Sequence, residues 1–431
     1  MKLQPIARRL AAVVATAALI APLAACGGSN SASEQKDSDG KTVVRFWHNA
    51  TTGEGKEYWD GAAKRFEEAN PDVKIEITAI QNEDMDGKLQ TGLQDQASSP
   101  HIIMARGGEK LKDNVDAGVV ADLSDIVPDN VKKYGDMFSV DGKIYGMPQA
   151  ILPGGLFYSK DLFAQAGIEK APETWDEFTD AVKKLKDAGI TPIALGAKDA
   201  WPAAHWWYFF ALRECSADTF KNVVDTKDFN QECLVKAGQD LEEFLKLEPF
   251  NDGFLTTTAQ QGANSSAGLV ANHQAAMELS GAFQPGIVAS LTPDEKPLPD
   301  LGYFPFPTVA GGQGDPTAMM GGLDGWAVVQ WAPQAAKDFA VFTTSKEEQE
   351  LYAKAFHTIP VNPEAQGAIE EEVLKEVGVA LDKASLVQTW LDSQFGQNVG
   401  NALNLGVVDM LVGKGDAQSV IDGANAAATK G

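Results

Sequence analysis

Apolar and polar positions along this chain change period repeatedly, and the changes predict an alternation of strands and helices. The β-branched and aromatic stretch TVVRFW (42–47) reads as a buried strand. Trp59, Ala62, Ala63 and Phe66 then recur at helical spacing, and Pro71 stops that helix after Asn70. In VKIEITAI (73–80), Val73, Ile75 and Ile77 alternate as a second strand does. Strand, helix and strand within about forty residues make a βαβ unit, whose two strands must run parallel. Further on, Thr174 and Glu177 form a capping box opening a helix with Phe178, Ala181, Val182 and Leu185 inward; Gly189 ends it before TPIALGA. Ser345 with Glu348 predicts a second capping box. The fold class is α/β.

Two stretches interrupt the rhythm. TPDEKPLPDLGYFPFPTVAGGQGDP (292–316) holds six prolines, and PLPDLGYFPFP is expected to run extended between two lobes, because proline fixes φ and withholds a donor. DGKIYGMPQAILPGGLFYSKDLF (141–163) is similar, a strand-like pass with Pro148, Pro153 and a glycine pair. No internal repeat is visible.

The N-terminus has its own logic. Lys2, Arg8 and Arg9 precede the apolar run 10–25, which is too short for a comfortable membrane span and ends in Leu23-Ala24-Ala25-Cys26. This pattern resembles a lipoprotein export signal (1–25) with Cys26 as the lipidated residue, followed by a polar flexible tether (26–40). The formal charge is −24, and removing the three signal cations takes it to −27. So acidic a surface excludes nucleic acid, whose binding is driven by phosphate neutralisation, and suits a neutral or cationic ligand. Outside the cytosol the remaining pair, Cys215 and Cys233, is expected to form a disulfide worth about 3 kcal/mol.

Several segments, taken together and in order, resemble the extracellular solute-binding proteins of carbohydrate ABC importers. They are the lipobox, FWHNATTGEGKEYWDGAAKRFEEANPDVKIEI, DAGVVADLSDIV, GKIYGMP with GLFYSKDLF, PETWDEFTDAVKKLKDAGITPIALG, AAMELSGAF and GGLDGWAV. The resemblance covers essentially the whole chain. It implies a two-lobed periplasmic-binding-protein-like fold with a hinge and an interlobe ligand cleft, no catalysis and no cofactor. It further implies an oligosaccharide ligand of about two to four units, ABC permease subunits as partners, and a monomer held by its lipid on the outer face of the bacterial cell membrane. With the proline-rich crossings it places one lobe at 41–151 and 308–356 and the other at 152–307 and 357–431.

A sugar has hydroxyls around its rim and C–H groups on its faces, so its site needs aromatic faces beside Asp, Asn, Gln, His or Arg. Trp47, His48 and Asn49 lie where the first strand ends, the usual ligand edge of an open parallel sheet. WPAAHWWYFF (201–210) is the densest aromatic cluster; as a helix it places Trp206, Phe209 and Phe210 on one face and Trp207 about 100° away, with Trp206 and Trp207 as stacking candidates. In GGLDGWAVV (321–329), Asp324 is the best hydroxyl-binding carboxylate and Trp326 a stacking face between glycines. By resemblance, Phe283 and Gln284 stand against the ligand, and Asp392, Phe395, Gln397 and Asn398 line the cleft.

Enzyme motifs are missing: no HExxH, no GxSxG and no complete P-loop occurs, and the five His are scattered, so no metal site is expected. The rival readings are a binder of polyamine or metal and a secreted glycoside hydrolase using Glu54 with Asp324 or Asp392.

Overall fold

The first expected strand spans Thr42–His48 (β1), with Val44, Phe46 and His48 buried on one face. The helix Gly53–Ala69 buries Tyr58, Trp59, Ala62, Ala63 and Phe66, the stripe its sequence predicts, and ends where Asn70 bonds back to the Phe66 carbonyl. Val73–Ala79 (β2) then pairs in parallel with β1, from Thr42↔Val73 to His48↔Ala79. Ile102–Met104 (β3) adds in parallel on the other side of β1. Ser139–Val140 (β4) and Lys143–Ile144 (β5) form a separate hairpin, with Asp141 and Gly142 at φ of 50° and 76° in its turn.

The rest is organised by Met147–Ser159 (β6), together with Met277–Gly281 (β7), Leu301–Phe304 (β8), Met319–Val328 (β9), Ile359–Pro360 (β10) and Val387–Thr389 (β11). From Met147 to Pro153, β6 pairs antiparallel with β9, and β10 pairs with it at Ala150 and Ile151. From Gly154 onward its partners are β7 and β8. The change of partners falls between Pro153 and Gly154, where proline supplies no ladder donor. β9 continues to β3, giving the path β10-β6-β9-β3-β1-β2.

The structure is a computed structural model and describes residues 35–430. Cys26, the signal 1–25 and most of the tether lie outside the described residues. Residues 35–40, assigned to the tether, instead fold back on β1. Val43 N–H donates to the Gln35 carbonyl at 2.9 Å, and the Asp37 carboxylate accepts from the Asp39 and Lys41 amides.

Two hydrophobic cores flank the crossing strands. The first gathers Phe46, Trp59, Phe66, Ile102, Trp326 and Phe339. In the second, the helix Trp201–Glu214 is surrounded by Phe178, Leu241, Phe244, Phe306 and Leu403. The disulfide Cys215–Cys233, with Cα atoms 5.1 Å apart, ties the end of that helix to Glu232–Leu245.

The proline-rich stretch departs from expectation. Only β8 forms there, and it stays beside the second half of β6; the second crossing is made by β9, which reaches from β11 to β3. Prolines cannot complete a ladder, so the carbonyls after β8 need other donors. Arg213 supplies them, donating to the carbonyls of Phe306 (2.8 Å), Pro307 (3.2 Å) and Ala318 (2.8 Å). The capping box at Thr174 and Glu177 is complete. At Ser345 only half forms: Ser345 caps Glu348 N–H, while the Glu348 carboxylate turns to Arg65 at 2.6 and 2.7 Å.

Candidate functional site

The carboxyl ends of β1, β2 and β3 deliver three short polar runs to one edge of the sheet: Asn49 after β1, Gln81–Glu83 after β2 and Arg106 after β3. This is where open parallel sheets place ligands, because the connecting loops part there. Asn49 is half-buried, and its side chain makes no hydrogen bond among the described residues. Arg106 is steered by Asn82, whose Oδ1 accepts from Nη2 at 2.8 Å, and by Asp86, 3.6 Å from Nε.

Alternation along β9 puts Gly322, Asp324 and Trp326 on one face. Asp324 is half-buried, and its carboxylate has no hydrogen-bond partner among the described residues. Burial pushes its pKa up to about 6, and the Arg106 charge pulls the other way. Trp390 lies over the same face. Its ring would meet a Cβ built on Gly322 at 3.4 Å and one on Gly154, at the β6 partner switch, at 2.6 Å. At Gly154 only glycine leaves room for the indole, while at Gly322 the contact would be an ordinary one.

Trp390 stacks flat on His205, with centroids 3.9 Å apart and planes 9° off parallel. Ring contacts continue from His205 to Trp201 (4.9 Å) and from Trp201 to Phe283 (6.3 Å). Burial lowers the His205 pKa to about 4, so the imidazole is neutral at physiological pH. Asp392 is half-buried nearby and accepts from Asn404 Nδ2 at 3.4 Å; Tyr208 OH donates to Asn404 Oδ1 at 2.5 Å. Three polar atoms around this wall are buried without a partner among the described residues: Trp201 Nε1, His205 Nδ1 and Glu83 Oε1. Unpaired buried polar atoms are uncommon in native structures; among the described residues the others are His48 Nε2, Tyr58 OH, Trp207 Nε1, Asp240 Oδ2 and Trp326 Nε1.

The sequence candidates divide accordingly. Asn49, Phe283, Asp324 and Asp392 are half-buried around this space. Trp47 is half-buried, with its ring packed where a Cβ on Gly92 would fall. His48 faces the first core, between Phe46 and Trp59, and burial holds its pKa at about 4; its Nδ1 accepts from Ala50 N–H at 3.1 Å. Trp206 and Trp207 are corrections. Both are fully buried because the helix Trp201–Glu214 is enclosed on all sides from Pro202 onward, so no face is left for a ligand. Trp326 is likewise enclosed, edge-on to Phe46 (4.8 Å) and Trp59 (5.1 Å). Gln284 is buried in a network, donating to Glu278 and accepting from Ser280 Oγ at 3.0 Å. Phe395 packs on Phe229 at 4.8 Å. Gln397 and Asn398 are exposed on the helix Gly396–Leu411.

His205, Arg106 and Glu83 escaped the sequence reading, and Trp201 and Trp390 were not singled out although both lie in segments expected at the cleft, 201–210 and 390–401. A signal existed for the tryptophans: each stands at the start of a helix, Trp201 just before Pro202 and Trp390 just before Leu391–Gln394, where side chains are less often enclosed. Two other concavities lie elsewhere. A groove of about 620 Å³ runs past Lys186, Pro192, Phe250 and Phe254, and one of about 300 Å³ past Tyr134, Ile151, Leu323 and Val387. For the metal reading, one convergent group exists among the described residues, Asp161, His273 and Asp300. The Asp300 carboxylate is already engaged by His273 Nε2 at 3.0 Å and by Ser159. Glu54, the hydrolase candidate, is exposed and 3.8 Å from His357.

Known proteins share this chain's sequence pattern and fold. The sequence profile of the family described as bacterial extracellular solute-binding protein matches residues 49–350. The diacetylchitobiose binding protein DasA of Streptomyces coelicolor is 23% identical over 408 residues, covering 89% of this chain and 90% of the relative. The multiple sugar-binding protein of Streptococcus mutans is 23% identical over 324 residues, 68% of each chain. Among solved structures, a chitin oligosaccharide binding protein superposes with a TM-score of 0.79 at 23% identity, over 90% of this chain and 98% of the other. At that identity the likeness speaks for the two-lobed fold.

Proposed function

Because this chain belongs to the bacterial extracellular solute-binding protein family, we propose that it captures an oligosaccharide of about two to four units between its two lobes and delivers it to an ABC importer. The observation that carries the reading is Trp390 and Asp324 on one face of β9. A partly open indole stands over glycines, beside a carboxylate with no partner of its own. A sugar ring satisfies both, its C–H face on the indole and a hydroxyl on the carboxylate, a charge-assisted bond. Relatives named for a sugar ligand support the carbohydrate class.

On this reading β6 and β9 form the hinge, and the ligand favours the closed arrangement because it touches both walls. One lobe would hold 41–151 and the chain from the β9 crossing to 356, the other 152 to the start of β9 with 357–431, the expected boundary at 307/308 moving into β9 because the crossing is there. The protein works as a monomer, anchored through a lipid on Cys26 and docking on permease subunits. Replacing Cys26 with Ser should release it from membranes; equal retention overturns the anchor.

A thermal-shift screen over neutral di- to tetrasaccharides tests the ligand class, since a ligand at one hundred times its Kd stabilises by about 2.7 kcal/mol. A cationic solute is the second reading, favoured by the carboxylates of Glu83, Asp199, Asp324 and Asp392 around the site, against Arg106 acting on Asp324 and Lys198 acting on Asp199. Spermidine in the same screen decides it: a shift with spermidine and none with any sugar replaces the carbohydrate reading.

A further inference from the structure

We infer that Glu83, Gln261 and Trp201 form an end wall of the cleft that holds the terminal ring of an oligosaccharide and limits its length, an inference resting on the carbohydrate reading above. Glu83 stands in the first turn of the helix Asn82–Gly92, directly after β2 and beside the first core. Gln261 belongs to the loop beyond Phe254, which packs on the second core. Gln261 Nε2 donates to Glu83 Oε2 at 3.0 Å, so a hydrogen bond joins the two sides of the molecule. A second link, Lys227 to Glu109 at 3.5 Å, joins them elsewhere.

The inner side of this wall is polar and unsatisfied. Glu83 Oε1, the carboxylate oxygen that Gln261 does not use, is buried without a partner among the described residues, and so is Trp201 Nε1. One is an acceptor and the other a donor, the pair a sugar hydroxyl needs, since a hydroxyl donates and accepts at once. Trp201 also stands near the far end of the row that starts at Trp390, passes through His205 and closes on Phe283. The wall is braced from behind: Ala259 N–H donates to Asp199 Oδ2 at 2.7 Å, fixing the Gln261 loop to the start of the Trp201 helix. Burial raises the Asp199 pKa and the Ala259 N–H bond lowers it, with the Glu83 charge adding to the first and Lys198 to the second. Gln261 itself is exposed, as the outer face of a closing wall must be.

A ligand lying along the aromatic row therefore meets a hydrogen-bonded barrier at its Trp201 end. Rings fit up to that barrier, and one ring more has to break the Glu83–Gln261 bond.

Calorimetry of the full chain with ladders of neutral α- and β-linked gluco-, xylo- and galacto-oligosaccharides, two to six units each, tests this. The wild type should bind best at a short length and lose about tenfold or more when further units are added. Changing Gln261→Gly and Glu83→Ala together should remove the loss, bringing longer chains within about threefold of the optimum. Glu83→Gln keeps a wall but removes the charge, and should weaken every length by about tenfold with the length optimum unmoved. Gln261→Gly alone, at an exposed position, serves if the double variant does not fold. An unchanged length profile in the opened variants, or unaltered binding by Glu83→Gln, overturns the wall while leaving the carbohydrate reading intact. Wild-type protein that binds no member of any ladder defeats both.

Discussion

The helix Trp201–Glu214 and the segment around Trp390 are both rich in aromatics, yet they do opposite work. In the helix, Trp206, Trp207, Tyr208, Phe209 and Phe210 are consecutive and all fully buried. Five consecutive positions cover every direction around a helix axis, so such a run suits only an element enclosed by its neighbours. Trp390 is a lone indole on irregular backbone, held over Gly154 and Gly322 and supported from below by His205. Density marks core; an isolated aromatic facing glycine marks a platform. Trp201 belongs to the second kind although it begins the first element, because it lies at the helix end and is only partly covered.

The largest test of that contrast is Trp206→Ala. Emptying a fully buried indole site should destabilise the fold by about 3–5 kcal/mol in denaturant titration, with ligand affinity of the folded fraction preserved. Trp390→Ala should do the reverse. Its stability changes by less than half as much, while affinity for the sugar found in the screen falls roughly a hundredfold by calorimetry. If Trp206→Ala abolishes binding in a stably folded protein, or Trp390→Ala leaves binding intact, the contrast collapses.

Asp324→Asn asks a finer question of the same face and should weaken binding by about tenfold. With the wild-type carboxyl held near 6, the acceptor is ionised above that pH and protonated below it, so affinity should fall as pH drops through 6. The Asn variant should show no such slope.

The test furthest from the ligand concerns the network behind Phe283. Glu278 is fully enclosed, bonded by Ser266 Oγ at 2.5 Å and by Gln284, and burial pushes its pKa up to about 8. In the unfolded chain a Glu titrates near 4.5, so between those values the folded state binds the extra proton. Stability should therefore decline as pH rises through that window, by up to about 1.4 kcal/mol per pH unit. Glu278→Gln should flatten melting temperature against pH there, and an unchanged slope refutes the assignment.

Local pattern was enough for much of the fold. The βαβ unit from Thr42 to Ala79, the stripe of the helix Gly53–Ala69 and the capping box at Thr174 follow from periods and caps that neighbours a few residues apart enforce. The crossing at β6 was also legible, since two prolines and a glycine pair restrict what an extended run can pair with. Likewise the charge and the sheet-edge position of Asn49 pointed towards a ligand site.

Tertiary structure decided the rest. Whether Pro297–Pro307 crosses between lobes depended on Arg213, more than eighty residues earlier in the chain, being available to satisfy its carbonyls. Glu348 completes no capping box because Arg65, on another helix, competes for its carboxylate. Asp324 and Trp326 are two residues apart on one face, yet one is open and the other enclosed, because the rings of Phe46 and Trp59 fill the space beside the second and not the first. Sequence spacing sets the direction in which a side chain leaves the backbone. What it meets there is set by segments distant in the chain, and that contact alone separates a binding residue from a core residue.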